Sequence, residues 1–461
     1  DGKTLRPAYL VWDLKKLFPK LVVTEEEALL MTQRELTPGE GLEFVIRGVR
    51  DRYLGVDESW KELYTWYRQN EGQKVDRILD AGFFKKKPDA LTGEEAAELY
   101  GEKKQFSVTR MERFSACAYA HFLTYGLHLS DRERYEFEAM DLGNIAHQSM
   151  ERFARKAQEK RMPWPKLEEV QRDAMIEESV EESIKDYGNT VLYSTARNEY
   201  MIVRIKQLIR RSVWALTRQM EKGDFEPSGY EMNFGSGKID RVDTCEDEDV
   251  VYVKVTDYKT GMKSFDIVAL YHGLQMQLPV YLNAALELEE RRASGKTVEP
   301  AGIFYYRIKD PIVDREKDDH ALEEKILKEL RLDGMINAKE EVIEHLEHQL
   351  SGTSVLNPIG KNKDGSLNRY SKVLPPEAFA AMLSYTKKKE AQVKRQIYAG
   401  EVQANPYELN GSTGCDYCAY RDICGFDPRL DGYAYRSLEK YSKEEVIRRM
   451  EEEIENREEP S

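Results

Sequence analysis

Two short motifs of acidic and basic residues set the chemistry to be considered first. Gly237-Lys238-Ile239-Asp240-Arg241-Val242-Asp243 is followed, 17 residues after Asp240, by Asp257-Tyr258-Lys259. Both fall in segments that read as adjacent strands. Side chains two apart on a strand project from one face, so Asp257 and Lys259 share a face. Asp240, on the neighbouring strand, brings a second carboxylate to it. Two carboxylates beside a lysine suit metal-assisted hydrolysis of a phosphodiester. The carboxylates hold a hard cation such as Mg²⁺, and the metal stabilises phosphate charge and lowers the pKa of a bound water. The lysine positions or activates that nucleophile. The same residues also fit a plain surface ladder of opposite charges. His147, in DLGNIAHQSMERFARKA, reads as lying on a helix that opens at a Gly-Asn start. Imidazole joins mixed nitrogen and oxygen metal sites, although a lone helical histidine also serves structure alone. Gln277 and Tyr281 are four apart and stack on one helix face, where core and rim is the bland alternative.

A second group is built from thiols. Cys415, Cys418 and Cys424 cluster in the last fifty residues, and Cys117 lies some 300 residues earlier. The triplet lacks a fourth ligand of its own, and Cys117 is the available candidate. Four thiolates suit tetrahedral Zn²⁺ or an iron–sulfur cluster equally on spacing. Such a site would tie two distant chain segments together. Cys245, in DTCEDED, receives no role.

Other patterns are set aside. Gly235-Ser236-Gly237-Lys238 resembles the end of a phosphate-binding Walker loop, but Met232 stands where its first glycine belongs and Ile239 follows the lysine. His345 and His348, in EHLEH, are three apart rather than the four of a zincin helix, and read as a solvated helix face. The lysine runs at 85–87 and 387–389 read as solvated faces too. KKKEAQVKR and GKNKDGSLNRYSK remain candidate surfaces for a nucleic-acid backbone.

The elements that would position these groups follow from pattern. GYEMNFGSGKIDRVDTCEDEDVVYVKVTDYKTG alternates in short β-branched runs, a meander of about three strands. Long helical patterns precede it, from Asp141 to Glu159 and from Lys166 to about Lys222. One strong helix (IVALYHGLQMQLPVYLNAALELEERR) follows, then the strand AGIFYYRI. Helix returns from about Asp319 to Gln349, and again in FAAMLSYTKKKEAQVKRQIYAG. The first hundred residues read as helices and loops, with Thr24 a candidate cap for TEEEALLMTQREL. The expected class is α/β and helix-rich, with a small mixed sheet. At 461 residues, 41% hydrophobic and 33% charged, the chain is long enough for two or three folded units. No apolar run approaches a membrane span, and a net charge of -14 argues against indiscriminate nucleic-acid binding. Five cysteines in this length do not make a disulfide framework and suggest metal in a reducing compartment, here the cytoplasm. The start, DGKTLRPAYLVWDL, reads as a chain cut from something longer.

The order of these features is distinctive: Cys117, His147, the GxxDRxD element, DYKTG, the QxxxY spacing, then CxxCxxxxxC. Over roughly residues 105–430 it resembles the iron–sulfur-stapled, RecB-type nuclease domain of the PD-(D/E)xK superfamily. More closely, it resembles the C-terminal part of the AddB subunit of AddAB-type helicase–nucleases. The resemblance implies that His147, Asp240, Asp257 and Lys259 are catalytic, with the Tyr258 carbonyl as a further metal ligand beside His147, Asp240 and Asp257. Glu231 matches a supporting acidic position, while Gln277 and Tyr281 match a motif that orients substrate and lysine. Cys117, Cys415, Cys418 and Cys424 match the ligands of a [4Fe–4S] cluster. Ala118 departs from the proline that commonly follows the first cysteine and leaves the ligand intact. The implied organisation is a helical remnant of a helicase-like region at 1–100, the nuclease domain at 101–430 and an acidic helical tail at 431–461. The implied activity is Mg²⁺-dependent cleavage of one unwound DNA strand during double-strand break processing. The implied partner is an AddA-like helicase–nuclease subunit; the ATP-driven motor is that partner or lies in part in residues not present here. A non-catalytic DNA-binding scaffold and a stand-alone exonuclease are the alternatives. A relic would be expected to have lost one of His147, Asp240, Asp257 or Lys259, and none is lost.

Overall fold

The computed structural model describes residues 8–22, 36–51, 58–83, 90–101, 106–130, 137, 139–187, 193, 195–235, 237–293, 295–316, 318–430 and 432–455. The Thr24 segment, the lysine run at 85–87, Ser236 and the end of the acidic tail lie outside them. The chain forms two compact units, Asp1–Lys87 with Arg429–Gly432, and Pro88–Pro428 with Tyr433–Ser461. The first unit contains helices α1 (Tyr9–Leu17), α2 (Pro38–Asp51), α3 (Trp60–Asn70) and α4 (Gly72–Gly82). Its small core is Val45, Val49, Tyr67 and Val75.

The second unit begins earlier than residue 101, because α5 (Gly93–Tyr100) buries Ala96 and Tyr100 in the same core as the sheet. Then come α6 (Val108–Ala116), α7 (Ala118–His121), α8 (Ala139–Glu159), α9 (Glu169–Asp186) and α10 (Ala196–Met220). The expected three-strand meander is β1 (Glu226–Phe234), β2 (Gly237–Glu246) and β3 (Val250–Lys259). Helices α11 (Ile267–Tyr271) and α12 (Gln277–Glu290) lead to β4 (Thr297–Arg307), α13 (Asp319–Glu329), β5 (Asp333–Asn337) and α14 (Glu340–Leu346). These are followed by β6 (Val373–Leu374), α15 (Pro376–Tyr398), β7 (Tyr407–Leu409), β8 (Ser412–Thr413), α16 (Arg421–Cys424), β9 (Arg436–Ser437) and α17 (Lys443–Glu455). The tail is therefore not separate from the nuclease unit: Val446 and Met450 of α17 are buried in its core.

The six strands of the larger sheet lie in chain order, β1-β2-β3-β4-β5-β6. β3 and β4 are parallel, as are β5 and β6, and the other neighbours are antiparallel. Helices cover both faces. On β3 and β4 the period-two alternation sends Val251, Val253, Val255, Ile303 and Tyr305 into one core. Tyr252, Tyr258, Phe304 and Tyr306 enter the other, against α8, α9 and α10.

Three boundaries differ from the sequence reading. α8 begins at Ala139, so Gly143 and Asn144 are inside it rather than at its start. A Cβ on Gly143 would stand 3.1 Å from Thr260 Oγ1, so the glycine lets α8 come close to the end of β3. The single helix expected after β3 is broken at Gly273, whose φ of +78° suits glycine and whose missing Cβ leaves room for Ser115. The stretch from Asp319 to Gln349 is interrupted by β5, five residues long, which pairs with β4 from Asp333 opposite Tyr305 to Ile336 opposite Gly302.

Candidate active site

The chemistry-bearing residues of β1, β2 and β3 meet where α8 and α12 approach the sheet. The register pairs Tyr230 with Arg241 and Met232 with Ile239, which sets Glu231 opposite Asp240. Glu231 has a φ of +45°, a left-handed conformation that costs energy in a side chain of this kind and that recurs at functional sites. Asp240 Oδ2 accepts the Tyr258 amide at 2.7 Å and lies 3.3 Å from His147 Nδ1 on α8. One ligating atom each of His147, Glu231 and Asp240 fall within 4.8 Å of one another. Burial opposes charge on His147, yet the hydrogen bond and charge of Asp240 outweigh it and raise its pKa. Burial likewise raises the pKa of Glu231, helped by the negative charges of Asp240 and Glu151.

Asp257 occupies the adjacent position on β3. It forms an ion pair with Lys259, and its Oδ1 accepts Gln277 Nε2 at 2.8 Å. Gln277 Nε2 also donates to Tyr281 Oη at 2.9 Å, so the QxxxY pair bears directly on the carboxylate. Burial, and after it the charge of Asp240, pushes the Asp257 pKa up to about 7. Lys259 Nζ lies 5.7 Å from the centre of the Tyr305 ring.

One contributor carries no signal in sequence. Glu112 of α6 accepts the amides of Met276 and Gln277 at 2.7 and 3.0 Å, capping α12. A carboxylate there satisfies two helix-terminal N–H groups and complements the positive end of the helix. It sets the position from which Gln277 reaches Asp257. Burial raises the pKa of Glu112, and Lys263 opposes that shift. Arg241 and Asp243 of the GxxDRxD element do something different. Buried beside Lys254, they form a closed ion network, Arg241 Nε to Asp243 Oδ1 at 2.6 Å and Lys254 Nζ to Asp243 Oδ2 at 3.6 Å, which holds β2 to β3.

The donor set fits a hard dication: crowded carboxylates with one imidazole, including a buried Asp257 whose charge a cation would relieve. The sequence profile of the PD-(D/E)XK nuclease superfamily matches residues 105–425. The chain belongs to this superfamily. Among curated proteins, it is 36% identical over 97% of its length to the B subunit of the ATP-dependent helicase/deoxyribonuclease of Lachnoclostridium phytofermentans, covering 40% of that protein. It is 32% identical over 99% of its length to the protein of the same name from Alkaliphilus oremlandii, covering 42% of it. The match in Caldanaerobacter subterraneus subsp. tengcongensis is also 32% identical, over 97% of this chain and 41% of that protein. The chain thus spans about two fifths of the length of these relatives.

Distant residues also gather around the thiols. All five cysteines are free. The Cys415 thiol feels the charges of Cys117, Cys418 and Cys424, and the Cys117 thiol that of Cys418, so the four share one neighbourhood, although among the described residues no three of their sulfurs lie within 4.8 Å of one another. The flanking backbone is tied as well. Asn405 Oδ1 accepts the Ala118 amide at 3.0 Å, Gln403 O accepts the Tyr119 amide at 3.0 Å, and Tyr420 Oη donates to Leu129 O at 2.8 Å.

Two surface readings gain detail. His345 is half-buried and His348 exposed, and both contact Asp224, at 2.8 and 2.9 Å. In KKKEAQVKR, Lys387 pairs with Glu287 at 2.9 Å, Lys388 donates to Glu453 O and Lys389 lies over the Tyr385 ring. That run is spent on internal contacts. A basic hollow of about 170 Å³ instead adjoins Lys259, lined by Lys263, Arg307, Lys328 and Arg331. Among the described residues, no helix is long and apolar enough to cross a membrane.

Proposed function

We propose that this chain is the nuclease segment of the B subunit of an ATP-dependent helicase/deoxyribonuclease, and that it hydrolyses phosphodiesters of one unwound DNA strand with Mg²⁺ during double-strand break processing. The observation that carries the proposal is the meeting of His147, Asp240, Asp257 and Lys259 at one end of β2 and β3. His147, Asp240 and Asp257, with Glu231 and the Tyr258 carbonyl, would hold the metal. When bound, Mg²⁺ supplies charge stabilisation at the phosphate and an acidified water. Lys259 directs a positive charge at the attacked phosphate and its nucleophile. Gln277, held by Tyr281 and by the Glu112 cap, keeps Asp257 in one orientation. The basic hollow beside Lys259 gives the strand's phosphates a path to the centre.

Cys117, Cys415, Cys418 and Cys424 would hold a [4Fe–4S] cluster as a structural tie, which suits the reducing cytoplasm. The relatives are named as B subunits of ATP-dependent helicases, while the Walker-like element here has Met232 and Ile239 at two deciding positions. We assign the motor to an AddA-like partner that feeds the strand to this site, or in part to segments of the B subunit outside this sequence. The test is cleavage of end-labelled single-stranded and duplex DNA by the chain alone and with such a partner. Alone, it should cut single strands with Mg²⁺ and without ATP; with the partner, duplex ends should be degraded only with ATP. Cleavage that survives EDTA, or no cleavage of any DNA with Mg²⁺, would refute the proposal.

A further inference from the structure

At the far end of β2 from Asp240, a second group of ligating side chains converges on Cys245. The two positions are five steps apart along the strand, roughly 17 Å at the rise of an extended chain. One ligating atom each of Asp224, Cys245 and His345 lie within 4.8 Å of one another. Asp224 Oδ2 is 2.8 Å from His345 Nδ1, and Asp224 Oδ1 is 2.9 Å from His348 Nε2. We propose that Asp224, Cys245, His345 and His348 form a Zn²⁺ site that joins the α10–β1 turn, the end of β2 and the end of α14.

Ligand chemistry comes first. One thiolate, two imidazoles and one carboxylate are a tetrahedral zinc set, and the two negative ligands neutralise a dication. Asp224, Cys245 and His345 need little adjustment, and His348, now held on the other oxygen of the Asp224 carboxylate, must shift toward them. Nitrogen and oxygen ligands of tetrahedral zinc lie about 3.3 Å apart, roughly half an ångström more than Asp224 now stands from each imidazole. The backbone is already arranged for the set. The Asp224 amide donates to His345 O at 2.8 Å and the His348 amide to Lys222 O at 2.8 Å. A Cβ at Gly223 would lie 2.4 Å from His345 O, so only glycine permits this approach. Supporting groups surround the ligands too. Asp247 Oδ2 stands 3.8 Å from His345 Nε2, and Tyr252, opposite Cys245 in the ladder, packs its ring 5.7 Å from that of His345. A carboxylate beside a ligating imidazole orients the ring and raises its basicity. Cys245 is only 4% exposed, and the negative charges of Asp224, Asp247, Glu226 and Glu246 all act on it. At the edge of the core, with Asp224 and His345 beside it, the thiol is placed as a zinc ligand.

The experiment is a Co²⁺ titration of the full chain, stripped with chelator and held in excess Mg²⁺ to fill the hard-ligand centre. The expected result is one Zn²⁺-displaceable equivalent with a thiolate-to-cobalt band in the near ultraviolet and tetrahedral bands in the visible. Cys245→Ser should lose the thiolate band while keeping its iron. His348→Gln, at a partly exposed position, should fold normally and bind at least about tenfold more weakly. Cys418→Ser should retain the Cys245-dependent band. A wild-type chain without a thiolate band, or a band unchanged in both Cys245→Ser and His348→Gln, would overturn the proposal and leave Asp224 as a plain acceptor for two histidines.

Discussion

Asp257 is where the energetics of the centre concentrate. Burial and the neighbouring Asp240 push its pKa up to about 7, so in the metal-free fold it keeps a proton that an unfolded aspartate would release. Above its ordinary pKa this raised value lowers stability as pH rises, until the loss is complete near pH 7. A bound cation must displace that proton. Mg²⁺ should therefore raise the melting temperature more at about pH 8 than at about pH 6, with affinity rising up to about tenfold per pH unit below the shifted pKa. Thermal melts across a Mg²⁺ series at the two pH values measure this; equal affinities would contradict it. Lys259→Ala should leave that Mg²⁺ response in place and still cut at least about a hundredfold more slowly, since it removes a charge aimed at the phosphate. Glu112→Ala should act through position. Two capped amides of α12 lose their acceptor at a cost of about 1–3 kcal/mol, and cleavage should fall while the Mg²⁺ response persists. The carboxylates and lysine of the proposed centre are legible in the sequence because period-two spacing sets Asp257 and Lys259 on one face, with Asp240 on the neighbouring strand. Glu112 is not, since it acts on amides 164 and 165 residues away.

Elements bring these residues together, and the places where local pattern misleads are informative. The meander is legible from alternation, and its strands fall where expected. Gly143 reads as a helix start because glycine usually marks an end; in the fold it answers to Thr260 of another segment. β5 is five residues long between two helices, too short to show a period, and only its pairing with β4 makes it a strand. The contact of His345 and His348 with Asp224 is invisible to local pattern, because Asp224 lies 121 residues from His345. At this scale the thiol tie is testable. Cys117→Ser should lose iron as completely as Cys418→Ser, and limited proteolysis should then open the segments around 115–129 and 403–436. Closing so long a loop is worth a few kcal/mol on simple chain models, so both ends should loosen together. An iron-replete Cys117→Ser chain with an unchanged digest would place the fourth ligand elsewhere.

The nuclease unit as a whole is a sheet with helices on both faces, and its chemistry sits at one end of two strands that those layers fix. It takes in α5 and α17 on either side of the matched region, so truncation at 101 or at 430 should destabilise it by exposing the partners of Ala96, Tyr100, Val446 and Met450. Thermal melts of the two truncations against the intact unit would show it. The central claim is that the carboxylates at the ends of β2 and β3 hydrolyse DNA. Its most direct test is single-turnover cleavage of single-stranded DNA with Mg²⁺ by the wild-type chain and by Asp257→Ala, with DNA binding and melting temperature measured on the same samples. Loss of one such electrostatic element predicts a rate lower by roughly 10³-fold or more, with binding and folding retained. An Asp257→Ala chain that binds, folds and cuts like the wild type would contradict it.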